Sequence, residues 1–113
     1  MTYTDKVLDG KQSAQSSANV TITGETDRVY HSIPQNTTSV LEGGQSRFDI
    51  VRENLEDTVI WNPWAEKAKA IADFEPNDGY KNMICVESGA VTSWVKIEAG
   101  ETWEASQVIK SVL

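Results

Sequence analysis

Residues 47–66 read RFDIVRENLEDTVIWNPWAE, and the fold class turns on them. Two β-branched runs, Arg47–Arg52 and Thr58–Trp61, are separated by a turn signal at Glu53-Asn54, which reads as two successive strands. Asn62-Pro63 then closes the second run and resembles the start of a helix. Trp61 and Trp64 bracket that pair, where the strand ends and the chain turns helical. They are either core aromatics that supply a large apolar area or residues at the rim of the fold, where binding sites are built.

The same pattern continues on both sides. Upstream, TYTDKV (Thr2–Val7), VTIT (Val20–Thr23), RVYHSI (Arg28–Ile33) and TSVL (Thr38–Leu41) read as strands, with turn signals at Gly24-Glu25, Pro34–Asn36 and Gly43-Gly44. KQSAQSSAN, Lys11–Asn19, is small, polar and without period, so a surface loop is expected there. Downstream, AEKAKAIADF is the one segment of good helix formers and predicts a short helix near residues 65–73. Past Pro76–Gly79, strands are expected again in NMICVE (82–87), SWVKIE (93–98) and TWEASQVIKS (102–111), the last two joined by a tight turn at Ala99-Gly100. Many short strands and one helix predict an all-β fold, an antiparallel meander or sandwich.

With 113 residues the chain is at most one domain, and it is short beside the roughly 200–250 residues of large β-architectures. It opens directly on a strand and carries many strands for a sandwich that must close both sheets, so it is expected to be part of a larger one. Strand edges left bare predict self-association. A net charge of −7 with ten Lys+Arg argues against a nucleic-acid or anionic-membrane surface, which needs clustered positive charge. No apolar run approaches the roughly 18 residues of a membrane span. One cysteine, Cys85, excludes an internal disulfide, and MTYTDKV lacks the pattern of a signal peptide, so the expected compartment is the cytosol. Without secretion, the sequons at Asn19 and Asn36 carry little weight.

One histidine, one cysteine and no phosphate-loop or nucleophile-elbow motif leave carboxylates as the candidates for chemistry, with no metal site expected. Glu87 ends the run MICVE, on the same strand face as Met83 and Cys85. Partial desolvation there would suit a general acid or base; the alternative is a strand-end glutamate in solvent. Asp27 and His31 share a strand side but stand roughly 13 Å apart, too far for a direct hydrogen bond, and His31 reads as an ordinary strand-end histidine. Asp57 and Asp73 read as turn or cap residues, and Cys85 as a small buried hydrophobe without a basic neighbour.

The series TYTDKV, TDRVY, VIWNPW, EKAKAIADF, DGYKNMICVESG and AGETWEASQ resembles the C-terminal portion of the glucose-6-phosphate 1-epimerases, or hexose-6-phosphate mutarotases, most of all their fungal members. WNPW followed by EKA, and CVE followed by Gly89, are specific in combination, and the likeness runs from Thr2 to about Lys110. The resemblance implies a galactose mutarotase-like β-sandwich, of which residues 1–113 are the C-terminal part. It also implies interconversion of the α and β anomers of a hexose 6-phosphate, with no cofactor and no metal. In that family a glutamate takes the proton of the anomeric hydroxyl while a histidine protonates the ring oxygen. The glutamate aligns with Glu87, and an aspartate that holds a sugar hydroxyl aligns with Asp27; Trp61, Asn62 and Trp64 would line the rim, unless the tryptophans pack beneath the strand-to-helix turn.

The departure from the family is equally specific. Its acid histidine and phosphate-gripping basic residues lie upstream of the TYTDKV element; His31 does not match the first, nor Arg28, Arg47 and Arg52 the second. A chain with the base and without the acid is expected to be impaired. The rival reading is a sugar-binding or interaction module that has kept the face and lost catalysis.

Overall fold

The computed structural model describes residues 1–112. Eight strands are laid down in chain order: β1 (Thr2–Asp5), β2 (Lys11–Ala14), β3 (Thr26–Tyr30), β4 (Thr37–Glu42), β5 (Gln45–Glu53), β6 (Asp57–Asn62), β7 (Cys85–Gly89) and β8 (Ser106–Ser111). One helix, α1 (Trp64–Ala70), follows β6, and a single 3-10 turn covers Gly79–Asn82. Every pairing is antiparallel, in a five-stranded sheet of order β2-β1-β3-β6-β7 and a three-stranded sheet of order β4-β5-β8. This is the all-β architecture expected of a galactose mutarotase-like fold.

Local chemistry explains the hairpins. Between β4 and β5, Gly43 and Gly44 take φ of 58° and 81°, the two-residue turn whose twist matches the strands and which demands positive φ twice. Between β1 and β2, the Asp5 carboxylate accepts the Val7 and Leu8 amides at 3.0 and 3.3 Å, folding the turn back on its own strand.

Three expectations fail, all for want or gain of a ladder partner. Val20–Thr23 is not a strand: the edge of β1 it could have used is occupied by Lys11–Ala14, the segment expected to be a loop. Ser93–Glu98 is likewise not a strand but exposed chain, so the hairpin at Ala99-Gly100 does not form, and only Ser106–Ser111 of the last segment finds a partner, in β5. A strand is a pairing rather than a propensity, and alternation alone does not supply the second edge. The helix stops at Ala70, earlier than expected, because Ile71 is already extended (φ −88°, ψ 110°).

The core is thin. Val29, Tyr30 and Ile60 are buried where β3 and β6 lie side by side in mid-sheet, with Ile50 on β5 and Ala68 on α1. Arg52, 3% exposed, joins the sheets: it donates from β5 to the Thr58 hydroxyl on β6 at 3.2 Å and to the Gln35 carbonyl. The 12.5 kDa chain exposes 7982 Å², against roughly 6,200 Å² for a compact monomer of that mass. Much apolar surface is therefore uncovered, with Trp94 98% exposed and Ile109 60%.

Candidate active site

β6 organises the site. Along it, Asp57, Val59 and Trp61 point to one face and Thr58, Ile60 and Asn62 to the other. Directly opposite residues share a face, so the register carries this assignment to both neighbours: Asp27 of β3 and Cys85 of β7 each stand opposite Trp61, and Val29 and Glu87 each stand opposite Val59. Asp27, Trp61, Cys85 and Glu87 therefore rise from one face of three adjacent strands. Asp27 and Glu87 lie two strands and two residues apart, about 12 Å between Cα atoms, which leaves room for one sugar ring between their carboxylates.

Asp27 and Trp61 are half-buried, whereas Glu87 is exposed, so of its two readings the solvent-facing glutamate is the one found. Cys85 is half-buried, and burial together with the neighbouring Glu87 charge pushes its thiol pKa up, which keeps it an inert hydrophobe.

Asn62 points to the opposite face and is 1% exposed. Its amide donates to the carbonyls of Tyr80 and Met83 at 2.9 and 3.0 Å, and its Oδ1 accepts the Trp64 amide at 2.9 Å. All its groups are engaged by backbone, tying the end of β6 to the segment that leads into β7. Trp64, at φ 58°, packs its ring 5.0 Å from that of Tyr80, so it lies against the 3-10 turn that precedes β7. A bulky residue at positive φ is unusual, and the Asn62 bond and the aromatic contact are what hold it there.

Asp57, read in the sequence as a turn or cap residue, is the first residue of β6, 1% exposed and opposite Gly89. Its Oδ1 accepts the Ser32 amide at 3.0 Å and its Oδ2 the Val91 and Thr92 amides at 2.8 and 2.7 Å. Burial pushes its pKa up, but hydrogen bonds from the Thr92 and Ser32 amides, the Thr92 hydroxyl and the Val91 amide outweigh that and hold the carboxyl below the usual range. The clamp fixes the chain two residues beyond the end of the Glu87 strand. The Thr92 hydroxyl also lies 2.6 Å from His31 Nδ1, and the Thr4 hydroxyl 2.7 Å from His31 Nε2, so both ring nitrogens are occupied. Nothing but an aspartate at the first position of a strand announced the clamp.

The three arginines are committed elsewhere. Arg28 lies 4.6 Å over the Tyr3 ring and 3.5 Å from Asp5, Arg47 lies 3.7 Å from Glu42, and Arg52 is buried between the sheets. Among the described residues no three of His, Cys, Asp and Glu gather at one point as a metal would require, and no helix is long and apolar enough to cross a membrane. A cavity of about 140 Å³ lies away from Glu87, between Asn54, Glu56 and Asp57 on one side and Trp94, Val95 and Trp103 on the other.

A family model described as aldose 1-epimerase matches residues 2–110. Three proteins bearing the name "Putative glucose-6-phosphate 1-epimerase" are similar to this chain. That of Cenchrus ciliaris is 32% identical over 112 residues, 99% of this chain and 34% of its own length. That of Salmonella typhimurium is 32% identical over 92 residues, 80% of this chain and 31% of its own length. That of Escherichia coli is 28% identical over 109 residues, 96% of this chain and 36% of its own length. The chain thus spans about a third of the relatives it matches.

Proposed function

Because the chain belongs to the aldose 1-epimerase family, we propose that it carries the proton-accepting half of a site that interconverts the α and β anomers of a hexose 6-phosphate. The observation behind this reading is the shared face of Asp27, Trp61 and Glu87 across β3, β6 and β7. In this role the Glu87 carboxylate takes the proton of the anomeric hydroxyl. The ring C–O bond breaks as the ring oxygen is protonated and C1 rotates; on reclosure from the other face the ring oxygen gives its proton back to the acid and Glu87 returns its proton to the anomeric oxygen. Asp27 accepts hydrogen bonds from sugar hydroxyls, and the half-buried Trp61 offers a ring face to the C–H side of a pyranose. Asn62, engaged wholly by backbone, contributes by fixing the entry to β7 rather than by touching the sugar.

An acid for the ring oxygen and cations for the phosphate come, by resemblance, from the upstream part of the family domain, of which residues 1–113 form the C-terminal part. His31 and the three arginines are already engaged within this chain. A general acid at the ring oxygen contributes about 10²- to 10⁴-fold to such a step. The exposure of Glu87 favours a second reading: a carbohydrate-binding surface that does not turn over.

The test is exchange NMR between the α and β C1 signals of glucose 6-phosphate, with this chain and its Glu87→Gln variant. Acceleration that vanishes in the variant supports the catalytic reading. Shifts of the Trp61 indole signal without exchange support the binding one, and neither effect from a folded sample refutes both.

A further inference from the structure

His31 is the one histidine of the chain, and no step of the proposed reaction uses it. It follows the last residue of β3, and its amide donates to the Thr2 carbonyl at 3.0 Å, so the pairing with β1 continues through it. Strand alternation puts it on the side of Asp27 and Val29. Thr4 of β1 stands opposite Val29, and Asp57 shares its side of β6 with Trp61, which stands opposite Asp27. Thr4, His31 and Asp57 therefore gather at one end of the face that bears Asp27 and Glu87.

The hydrogen bonds among them have a single consistent direction. An ionised Asp57 can only accept, and it takes both the Thr92 amide, at 2.7 Å, and the Thr92 hydroxyl. Thr92 has one hydroxyl hydrogen. A bond to a charged acceptor is roughly twice as strong as a neutral one, so that hydrogen goes to Asp57 rather than to the ring. Thr92 Oγ1 then accepts the 2.6 Å bond from His31, which places the ring hydrogen on Nδ1. Nε2 is left as the acceptor, and the Thr4 hydroxyl donates to it at 2.7 Å. The donors run in one sense from Thr4 through His31 and Thr92 to Asp57.

We infer that His31 is a positioning residue of the candidate site: locked by Asp57 through Thr92 as the Nδ1–H tautomer, it braces β1 and β3 against the chain that leaves β7, and so holds the Asp27 and Glu87 carboxylates at their separation. This role rests on the proposed function, in which those two carboxylates flank one sugar ring. The ladders alone leave that end of the face loose. The β6–β7 pairing stops at Asp57 and Gly89, and the next residues of the chain are fixed by the Val91 and Thr92 amides on Asp57 and the Thr92 hydroxyl on His31. On the other side, the β1–β3 pairing runs over three residues, and the bond from Thr4 to His31 crosses it on the diagonal, a step of about 7–8 Å that an imidazole and a hydroxyl fill. An imidazole free of such partners carries its hydrogen mainly on Nε2, so the Nδ1–H form is a signature of the relay.

The experiment is proton–nitrogen correlation NMR of the imidazole in the isotope-labelled full chain, at mildly alkaline pH where a histidine ring is neutral. With one histidine in the chain, the ring signals belong to His31 alone. Wild type should carry the hydrogen on Nδ1. Thr92→Val keeps the backbone bond to Asp57 and removes the hydroxyl, so the hydrogen should move to Nε2, whereas Thr92→Ser should keep it on Nδ1. Asp57→Asn, whose amide can donate to Thr92, should also move it to Nε2. A ring hydrogen on Nε2 in wild type, or still on Nδ1 in Thr92→Val, overturns the relay. Residual dipolar couplings of the β3 and β7 amides read the positioning directly. Wild type and Thr92→Ser should fit one strand arrangement, and the β7 couplings of Thr92→Val should depart from it. Couplings of Thr92→Val that fit the wild-type arrangement overturn the positioning role. None of these signals involves sugar, so a chain that leaves glucose 6-phosphate unaffected would count against the proposed function alone.

Discussion

Asp57 stands directly opposite Gly89 across the β6–β7 ladder, and its carboxylate reaches past that glycine to take the Val91 and Thr92 amides. The end of the Glu87 strand is thereby fastened to the same group that holds Ser32, at the end of the Asp27 strand. One buried carboxylate sets the relative position of the two strands that bear the candidate site.

Replacing Asp57 with Asn keeps the shape and removes the charge, and hydrogen bonds to a charged group contribute about 1.5–3 kcal/mol each. Asp57→Asn should therefore lower stability by about 2–3 kcal/mol, read from urea denaturation at neutral pH. The pH dependence has a definite sign. With a folded-state pKa below the unfolded one, the carboxylate contributes fully above about pH 4, and the contribution is lost as pH falls through the folded value. The variant should show a flatter acid limb, and equal acid sensitivity in both proteins would refute the clamp.

Asn62→Ala strands the Tyr80 and Met83 carbonyls and frees the Trp64 amide at a buried corner. A loss of about 2–3 kcal/mol is expected. Asn62→Asp should be worse, since a carboxylate would face two carbonyl oxygens. If the alanine variant unfolds at the wild-type urea midpoint, the corner is not held by this side chain.

Glu87→Gln changes an exposed group that makes no side-chain hydrogen bond or ion pair among the described residues, so its stability should stay within about 0.5 kcal/mol of wild type. Any effect on anomer exchange can then be assigned to chemistry. A large drop in thermal midpoint would remove that assignment.

Gly44→Ala isolates backbone strain, because an added Cβ at this position meets nothing within 4 Å while φ is +81°. About 1 kcal/mol should be lost, and Gly44→Asn should recover part of it, since Asn tolerates the left-handed region. An unchanged alanine variant would mean that the hairpin turn differs in solution.

Where neighbours in sequence pair, the fold was legible. Arg47–Arg52 and Thr38–Leu41 read as a hairpin around Gly43-Gly44, and the alternation in MICVE put Cys85 and Glu87 on one face. Pairings between distant segments were not legible. Lys11–Ala14 is polar, yet β1 recruits it, while the better-patterned Val20–Thr23 is left unpaired. The same limit hid the site's supports. Asp27 meets Trp61 only through the β3–β6 register, and the amides that Asp57 binds lie 25 to 35 residues away in sequence. The resemblance put Asn62 at the rim, but the partners that bury it follow α1.

Gly89 and Asp57 should also be coupled in energy. A Cβ on Gly89 would lie 2.9 Å from Val91 Cγ2, closer than atoms tolerate, and Val91 cannot retreat freely while Asp57 holds its amide. Gly89→Ala should therefore cost more in wild type than in the Asp57→Asn background, where the Val91 turn is looser. A double-mutant cycle on urea stabilities should give a coupling of about 0.5–2 kcal/mol, with the double variant more stable than the sum of the singles predicts. Strict additivity would mean that the glycine and the clamp act independently, and that the Val91 turn is set by something other than Asp57.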